Sequence, residues 1–168
     1  MIIMDIKFEK DDFKFNVRSS CIIKDKEHRN VLLTNMRAVK DHEAFLLPGG
    51  RLEILENSQD AIYREMQEEL GITLDYSLIS IEENIVEDTK FHMLEFVFYA
   101  EIESFDEIKP LDDGWDKFKI VQIEDIENVD IRPQTVKRLI QQENYNGITH
   151  NINYDWAECS EDIKGMKK

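Results

Sequence analysis

The spacing of apolar and polar residues predicts mostly β-strands in the first half of the chain. Residues 13–17 alternate between apolar and polar side chains, as expected for a strand with one buried face. Several short apolar or β-branched runs, bounded by charged or glycine-containing turns, predict further strands. The predicted strands are 13–17, 20–24, 31–35, 45–47, 78–86, 92–102 and 118–123, with 78–86 and 92–102 paired as a hairpin.

One segment has a strong helical spacing instead. Ile62, Met66 and Leu70 recur at intervals of four residues and form one apolar stripe. Gly71 is a residue type that commonly follows the end of a helix. We therefore predict a helix over 58–70.

A second helix is predicted over 133–142, with a proline near its start. The two helices interrupt a set of strands that we expect to be largely antiparallel, so the predicted fold class is α+β. The length of 168 residues, with 42% apolar and 34% charged residues, fits one domain of ordinary size. We predict a single domain over 1–168, with a core at about 13–142 and less certain tails at 1–12 and 156–168.

The composition also indicates the cellular setting. No apolar run approaches the roughly 18 residues that are needed to cross a bilayer. The segment from Met1 to Asp5 is followed at once by charged residues and does not have the shape of a signal peptide. We therefore expect a cytoplasmic protein that does not associate with a membrane.

The formal net charge is −15, with 36 acidic residues against 21 basic ones. A protein that binds a nucleic-acid polymer needs a basic face to neutralise phosphates, so binding to such a polymer is not expected. Solubility explains most of the acidic surplus. A sharper interpretation is that part of the acid holds a divalent metal ion, which then admits an anionic substrate.

One acidic cluster indicates where such an ion would lie. Glu65, Glu68 and Glu69 are spaced i, i+3, i+4 and share one face of the predicted helix 58–70. Like charges in this arrangement destabilise an isolated helix by roughly 0.2–0.5 kcal/mol per close pair. A bound Mg²⁺, which prefers hard oxygen ligands, would offset that repulsion. On spacing alone, a solvated acidic face is the favoured interpretation, because glutamate is common on helix surfaces.

The wider segment around this helix changes the balance. It consists of Gly50, five residues, Glu56, seven residues and then Arg-Glu-Met-Gln-Glu-Glu-Leu-Gly-Ile from Arg64 to Ile72. All nine constrained positions of the Nudix box are matched at their spacing, so the chain resembles the Nudix family. The resemblance implies the Nudix fold, a mixed β-sheet sandwiched between α-helices in an α/β/α arrangement.

The resemblance also implies roles for the charged residues of the box. Glu65, Glu68 and Glu69 would bind metal, and Glu65 and Glu68 are the leading candidates for the general base. Glu56 would be a further ligand, direct or through water, or would hold the loop. Arg64 would orient a glutamate through a salt bridge, since it lies four residues before Glu68 on the helix. An exposed surface charge is the weaker alternative for Arg64.

Residues outside the helix are further candidates. Gly49 or Gly50 can offer a backbone carbonyl to the metal or contact substrate, because glycine permits close backbone approach. Trp115, in a turn, can line a substrate pocket. Some family members use another carboxylate from a later loop, although a plain acidic turn is the favoured interpretation for each of the candidates here, Glu107, Asp112 and Asp113.

The implied reaction is attack of water on a P–O–P bridge, dependent on Mg²⁺ with Mn²⁺ as a substitute. The expected substrate is a nucleoside diphosphate derivative, either a nucleotide sugar such as ADP-ribose or an NTP or dNTP. Residues 83–89 lack the proline and the tyrosine that mark two subfamilies, so the subfamily stays open.

The alternative from another class is a non-catalytic nucleotide-binding or regulatory Nudix-like domain. Such a domain usually has a degraded box or an attached DNA-binding module, and neither is present in this sequence. A homodimer is a further expectation of the resemblance. The polar and aromatic segment 151–156 either closes over the site or packs on a partner subunit.

Overall fold

The computed structural model describes residues 5–10, 12–36, 43–110 and 114–154. The strands are β1 (Lys7–Lys10), β2 (Phe13–Asp25), β3 (Asn30–Asn35), β4 (Phe45–Leu46), β5 (Gly49–Arg51), β6 (Ser77–Val86), β7 (Phe91–Ile102), β8 (Phe118–Gln122) and β9 (Thr149–Asn153). The helices are α1 (Ser58–Leu70) and α2 (Thr135–Gln141), and 3₁₀ turns span Phe105–Glu107, Gly114–Lys117 and Ile123–Asn128.

Helix α1 has the bounds that the sequence predicts, and local chemistry explains both ends. The Asn57 side chain accepts a hydrogen bond from the backbone N–H of Asp60 at 2.9 Å, which caps the first turn. At the other end Gly71 has φ 66°, a left-handed conformation that glycine adopts without strain. Its N–H donates to the carbonyl of Gln67 at 3.1 Å and ends the helix.

The sheet is mixed, as the resemblance implies, and most of its strand pairs are antiparallel, as expected. The strand order is β4-β3-β2-β7-β6-β9, with β1 and β5 also pairing with β2, and β8 with β3. Strands β2 and β7 are parallel, and so are β6 and β9. Parallel neighbours arise because the connections from β2 to β7 and from β6 to β9 cross over through α1 and α2 respectively.

Two segment predictions change. Residues 13–17 and 20–24 belong to one strand, β2, whose register with β7 is continuous from Lys14 to Asp25. Within the segment 151–156, the described residues up to Asn153 complete β9 at the edge of the sheet rather than a flap over the site. Sequence pattern missed β9 because its side chains are mostly polar and their partners lie on β6, about 70 residues away.

Helices α1 and α2 cover opposite faces of the sheet, which confirms the α/β/α arrangement. In β2, Cys21 and Ile23 face the cluster that contains Met66 of α1. Ile22, between them, faces the cluster that contains Leu139 of α2. Full burial of each such apolar side chain contributes roughly 1.5–3 kcal/mol. Among the described residues, none of the helices is long and apolar enough to span a membrane.

Candidate active site

Two glycines bring the loop before α1 into close contact with β2 and α1. Strand β5 pairs with β2 so that Gly49 lies opposite Ser20, and Gly50 opposite Ser19. A Cβ on Gly49, whose φ is 140°, would lie 2.2 Å from the carbonyl oxygen of Ser19. A Cβ on Gly50 would lie 2.2 Å from Oε1 of Glu65. Only glycine therefore lets the Glu65 carboxylate rest directly over this loop.

Arg64 is the centre of the charged cluster on α1. Its Nε donates to Glu56 at 2.8 Å, and its Nη1 donates to Glu65 at 2.6 Å and to Glu68 at 3.1 Å. Its Nη2 donates to the backbone carbonyl of Arg51 at 2.9 Å and to Glu56 at 2.9 Å. The side chain is only 22% exposed. Arg64 is therefore not a loose surface charge, and it makes the contact with Glu68 that helical spacing predicts.

Glu56 holds the loop in the geometry shown here. It receives two hydrogen bonds from Arg64, and these are the largest cause of a pKa below the ordinary value. Its carboxylate also accepts a hydrogen bond from the backbone N–H of Glu53 at 2.8 Å. Of the two roles expected for Glu56, loop support is the one that this arrangement displays.

Glu65, Glu68 and Glu69 differ sharply in environment. Burial raises the pKa of Glu65, with Arg64 opposing the shift and the nearby Glu69 carboxylate adding to it. Glu68 is the open member, with 57% of its side chain exposed. Glu69 forms an ion pair with Lys117, but its Oε2 is buried and has no hydrogen-bond partner among the described residues. Sequence pattern could not identify Lys117, because it reaches Glu69 from the 3₁₀ turn 48 residues later.

These residues fit a hard divalent cation by chemistry, although their side chains are turned towards cations of the protein. Within the described ranges, no set of three or more His, Cys, Asp or Glu side chains is arranged to hold a metal ion. Arg64 and Lys117 pair with these carboxylates instead. One oxygen of Glu69 is buried without a hydrogen-bond partner among the described residues, and the Glu69 carboxylate raises the pKa of Glu65.

Arg18 is a site residue that sequence reasoning missed. From β2 its Nη2 donates to the carbonyls of Leu47 at 3.1 Å and Gly49 at 3.0 Å, so it fastens the glycine loop. Its Nε lies 3.3 Å from the carboxylate of Glu95, which is buried in β7. Arg18 falls in the gap between the two predicted strands that are in fact one. In the sequence, the only indication of its role was a single arginine close to an apolar run.

A cavity of about 280 Å³ opens beside this loop, with Gly50 in its wall. Apolar side chains form part of the lining, and basic side chains from β1, β2 and β5 form another part. The apolar lining residues are Phe15, Leu46, Phe91 and Met93, and the basic ones are Lys7, Lys14, Arg18 and Arg51. The cavity therefore adjoins the carboxylate cluster and combines apolar surface with positive charge.

The remaining candidates lie elsewhere or outside the described residues. Glu107 accepts a hydrogen bond from the backbone N–H of Ser104 at 3.1 Å and caps its own 3₁₀ turn, as an acidic turn would. Trp115 belongs to the turn Gly114–Lys117, but its side chain is outside the described part of the structure. The same holds for Asp112 and Asp113.

The fold and this cluster define an α/β/α protein that presents a helix of glutamates beside a glycine loop. The family model of the NUDIX domain matches residues 14–141, and the chain belongs to this family.

Solved structures agree with this fold. The MutT protein from Bacillus halodurans has a TM-score of 0.61 at 21% identity, covering 80% of this chain and 89% of that one. A NUDIX hydrolase from Nitrosomonas europaea has a TM-score of 0.60 at 24% identity, covering 75% and 86%. A MutT NUDIX hydrolase from Burkholderia pseudomallei has 0.60 at 22% identity, covering 77% and 98%. A comparison with curated proteins gave no match.

Proposed function

We propose that this protein is a Mg²⁺-dependent Nudix pyrophosphohydrolase that cleaves the diphosphate linkage of a nucleoside diphosphate derivative. The observation that carries the proposal is the intact box in three dimensions. Arg64 joins Glu56, Glu65 and Glu68 in one hydrogen-bonded cluster, and Glu65 rests on Gly50. A domain that only binds nucleotides would not need to keep every carboxylate of this set.

Mg²⁺, when bound, neutralises phosphate charge and makes an attacking water more acidic, and Mn²⁺ can supply the same chemistry. Glu65, Glu68 and Glu69 would hold the ion, with Glu56 supporting them through Arg64. The carbonyl of Gly49 or Gly50 would complete the protein ligands. The buried Glu69 oxygen without a partner supports this assignment, because an uncompensated buried carboxylate is costly in the absence of a cation.

The box carboxylates differ in solvent exposure, and we infer different catalytic roles from this difference. Glu68 is the most open to solvent, so we assign it the proton from the attacking water. Glu65, only 14% exposed and packed on Gly50, keeps a fixed position for charge stabilisation. Arg64 orients both through hydrogen bonds and leaves little freedom for either side chain.

The cavity beside Gly50 supports a nucleotide as substrate. Its apolar walls suit a nucleobase, and its size suits a small ligand rather than a polymer. A nucleotide sugar and an NTP or dNTP both remain candidates at this stage. The cytoplasmic location, the single domain over 1–168, the contribution of Trp115 and the homodimer stay predictions.

The first test is a turnover assay with Mg²⁺ and a panel of ADP-ribose, other nucleotide sugars, NADH, dinucleoside polyphosphates, and normal and oxidised (d)NTPs. We expect cleavage of one class, lost in Glu68→Gln and kept in Glu124→Gln, an exposed glutamate in another turn. Binding of a nucleotide without cleavage, unaffected by Glu68→Gln, would favour the non-catalytic alternative.

A second test does not depend on activity. Mg²⁺ that binds only the folded protein raises the free energy of unfolding by about 2.7 kcal/mol at a concentration of 100 Kd. We expect a Mg²⁺-dependent rise in melting temperature for the wild type and for Glu124→Gln. Glu69→Gln should weaken this rise, and an equal rise in that variant would remove Glu69 from the metal site.

A further inference from the structure

We propose that the cavity beside Gly50 is an anion subsite for a phosphate group other than the two phosphates whose bridge is cut. The proposal rests on the hydrolase function above and narrows its substrate to nucleotides that carry such an additional phosphate. The observation behind the proposal is a group of basic side chains on one face of the sheet in a protein that is acidic as a whole.

The charged lining residues lie on one sheet face because of strand register. Lys14 and Arg18 are separated by an even number of residues, so both project from the same face of β2. Lys7 lies opposite Asn16 across the β1–β2 pair, and Arg51 lies opposite Arg18 across the β2–β5 pair. Four side chains from three strands therefore direct positive charge at one cavity of about 280 Å³.

The positive charge around this cavity is opposite in sign to the net charge of the chain. Of the cavity's eleven lining residues, four are cationic and one, Glu9, is acidic. In the whole chain, acidic residues outnumber basic ones by 36 to 21. Arg18 and Arg51 also face each other directly in an antiparallel pair, an arrangement in which like charges are destabilising. Glu95 and Asp5 lie beside these two arginines, so the positive charge left for a bound anion is chiefly that of the two lysines.

The cations differ in how far the protein already compensates them. Arg18 is engaged by Glu95 and by two loop carbonyls, and Arg51 lies 3.3 Å from the carboxylate of Asp5. Lys7 and Lys14 form no ion pair with a carboxylate within the described residues. Among the described residues, these two lysines are therefore the cations of the cavity that a ligand can engage without breaking an ion pair.

The position of the cavity indicates which ligand group it would take. Gly50 lines the cavity, and the Glu65 carboxylate lies over the same residue, so the loop at Gly50 lies between the cavity and the proposed reaction centre. Phe91 and Met93 provide an apolar wall for a nucleobase. A nucleotide placed here would direct an additional phosphate at Lys7 and Lys14. That phosphate has two sources, the terminal phosphate of a nucleoside triphosphate or a phosphate on the ribose.

The test measures nucleotide binding by calorimetry without metal, so it is independent of turnover. The ligands are ATP, ADP, AMP and adenosine 3′,5′-bisphosphate, together with their guanine counterparts. The variant is Lys7→Gln/Lys14→Gln. Its matched control is Lys10→Gln/Lys109→Gln, which removes equal charge at two exposed lysines, one of them on the other face of β1.

Two pairs of ligands are compared, ATP with ADP and adenosine 3′,5′-bisphosphate with AMP. In one of these pairs, we expect the wild type and the control to bind the more highly phosphorylated ligand at least about tenfold more tightly, equivalent to about 1.4 kcal/mol. In Lys7→Gln/Lys14→Gln that preference should fall to about twofold or less. Loss of the ATP preference over ADP identifies a terminal phosphate, and loss of the bisphosphate preference over AMP identifies a ribose phosphate.

An unchanged preference in Lys7→Gln/Lys14→Gln, an equal loss in the control, or no measurable wild-type binding of any ligand would overturn the subsite. Failure of the hydrolase function is a separate result. A protein that shows the expected preference and cleaves nothing has the subsite without the reaction. If turnover needs Glu68 but Lys7→Gln/Lys14→Gln leaves the preference for the more highly phosphorylated nucleotide unchanged, the protein has the reaction without the subsite.

Discussion

Two regions of this molecule surround their buried glutamates with different partners. Glu82 of β6 is fully buried, on the sheet face that α2 covers. Its carboxylate accepts hydrogen bonds from four neutral donors. Two are the side-chain amides of Asn151 at 2.7 Å and Asn153 at 2.8 Å, and two are the hydroxyls of Thr135 at 3.5 Å and of Ser80 on the same strand.

The glutamates of α1 have no comparable set of donors. Glu65 and Glu69 are 14% and 16% exposed, and the Glu69 carboxylate raises the pKa of Glu65. Arg64 and Lys117 pair with them, and one oxygen of Glu69 has no hydrogen-bond partner among the described residues. A satisfied buried carboxylate stabilises its surroundings, whereas an incompletely satisfied pair is retained at a cost to stability. The comparison indicates a structural role for Glu82 and supports the catalytic role proposed for the α1 glutamates.

The largest expected effect is on turnover. Glu65→Gln should lower kcat by about 10²–10³-fold, the range typical for loss of one group that stabilises charge in the transition state, while the midpoint of urea unfolding changes little. Glu82→Gln should show the reverse, with activity per folded molecule kept and stability reduced. Turnover of Glu65→Gln within twofold of the wild type would break the comparison at its functional end.

The next effect is on stability. Glu82→Leu removes one of the two acceptors of each of the Asn151 and Asn153 amides and the acceptor of the Thr135 hydroxyl, so the free energy of unfolding should fall by about 3 kcal/mol. Urea denaturation measures the loss, with Glu87→Leu, an exposed glutamate at the β6–β7 turn, as a control expected within about 0.5 kcal/mol. A fully stable Glu82→Leu would show that the β6–β9 network does not stabilise the fold.

The smallest effect concerns a buried cation and depends on pH. Burial lowers the pKa of Lys24 from 10.5 to about 8, against the raising effect of Glu101 and Glu143. Between pH 8 and 10.5 the unfolded chain keeps a proton that the folded chain releases, so this group makes stability rise with pH there. The slope is at most about 1.4 kcal/mol per pH unit.

Lys24→Met should lack this rise, so the difference in free energy of unfolding between wild type and variant should shift in favour of the wild type as the pH rises, measured by urea unfolding from pH 7 to 10. The Nζ of Lys24 donates to the carbonyl of Gln142 at 2.7 Å and lies 5.7 Å and 5.5 Å from the ring centres of Tyr99 and Tyr145. These partners leave the ammonium less completely satisfied than the Glu82 carboxylate. Parallel pH profiles of the two proteins would contradict the lowered pKa.

Local chemistry made part of this protein predictable from its sequence. The apolar stripe, the Asn57 cap and Gly71 act within a few residues, and α1 has the predicted bounds of 58–70. The box depends on local spacing in the same way, so Arg64 reaches Glu68 across one helical turn as expected. The hairpin β6–β7 also follows from alternation on either side of a short turn.

Tertiary structure decided the contacts between distant residues. Arg18 reaches the glycine loop 29 to 31 residues later, and Lys117 reaches Glu69 across 48 residues. The polar strand β9 is held by side chains on β6, and the positive cavity exists only because register places side chains of β1, β2 and β5 on one face. The sequence by itself determined the helix of glutamates and the family, because short-range spacing encodes both. Which charges meet a distant partner was decided by tertiary contacts that no local pattern specifies.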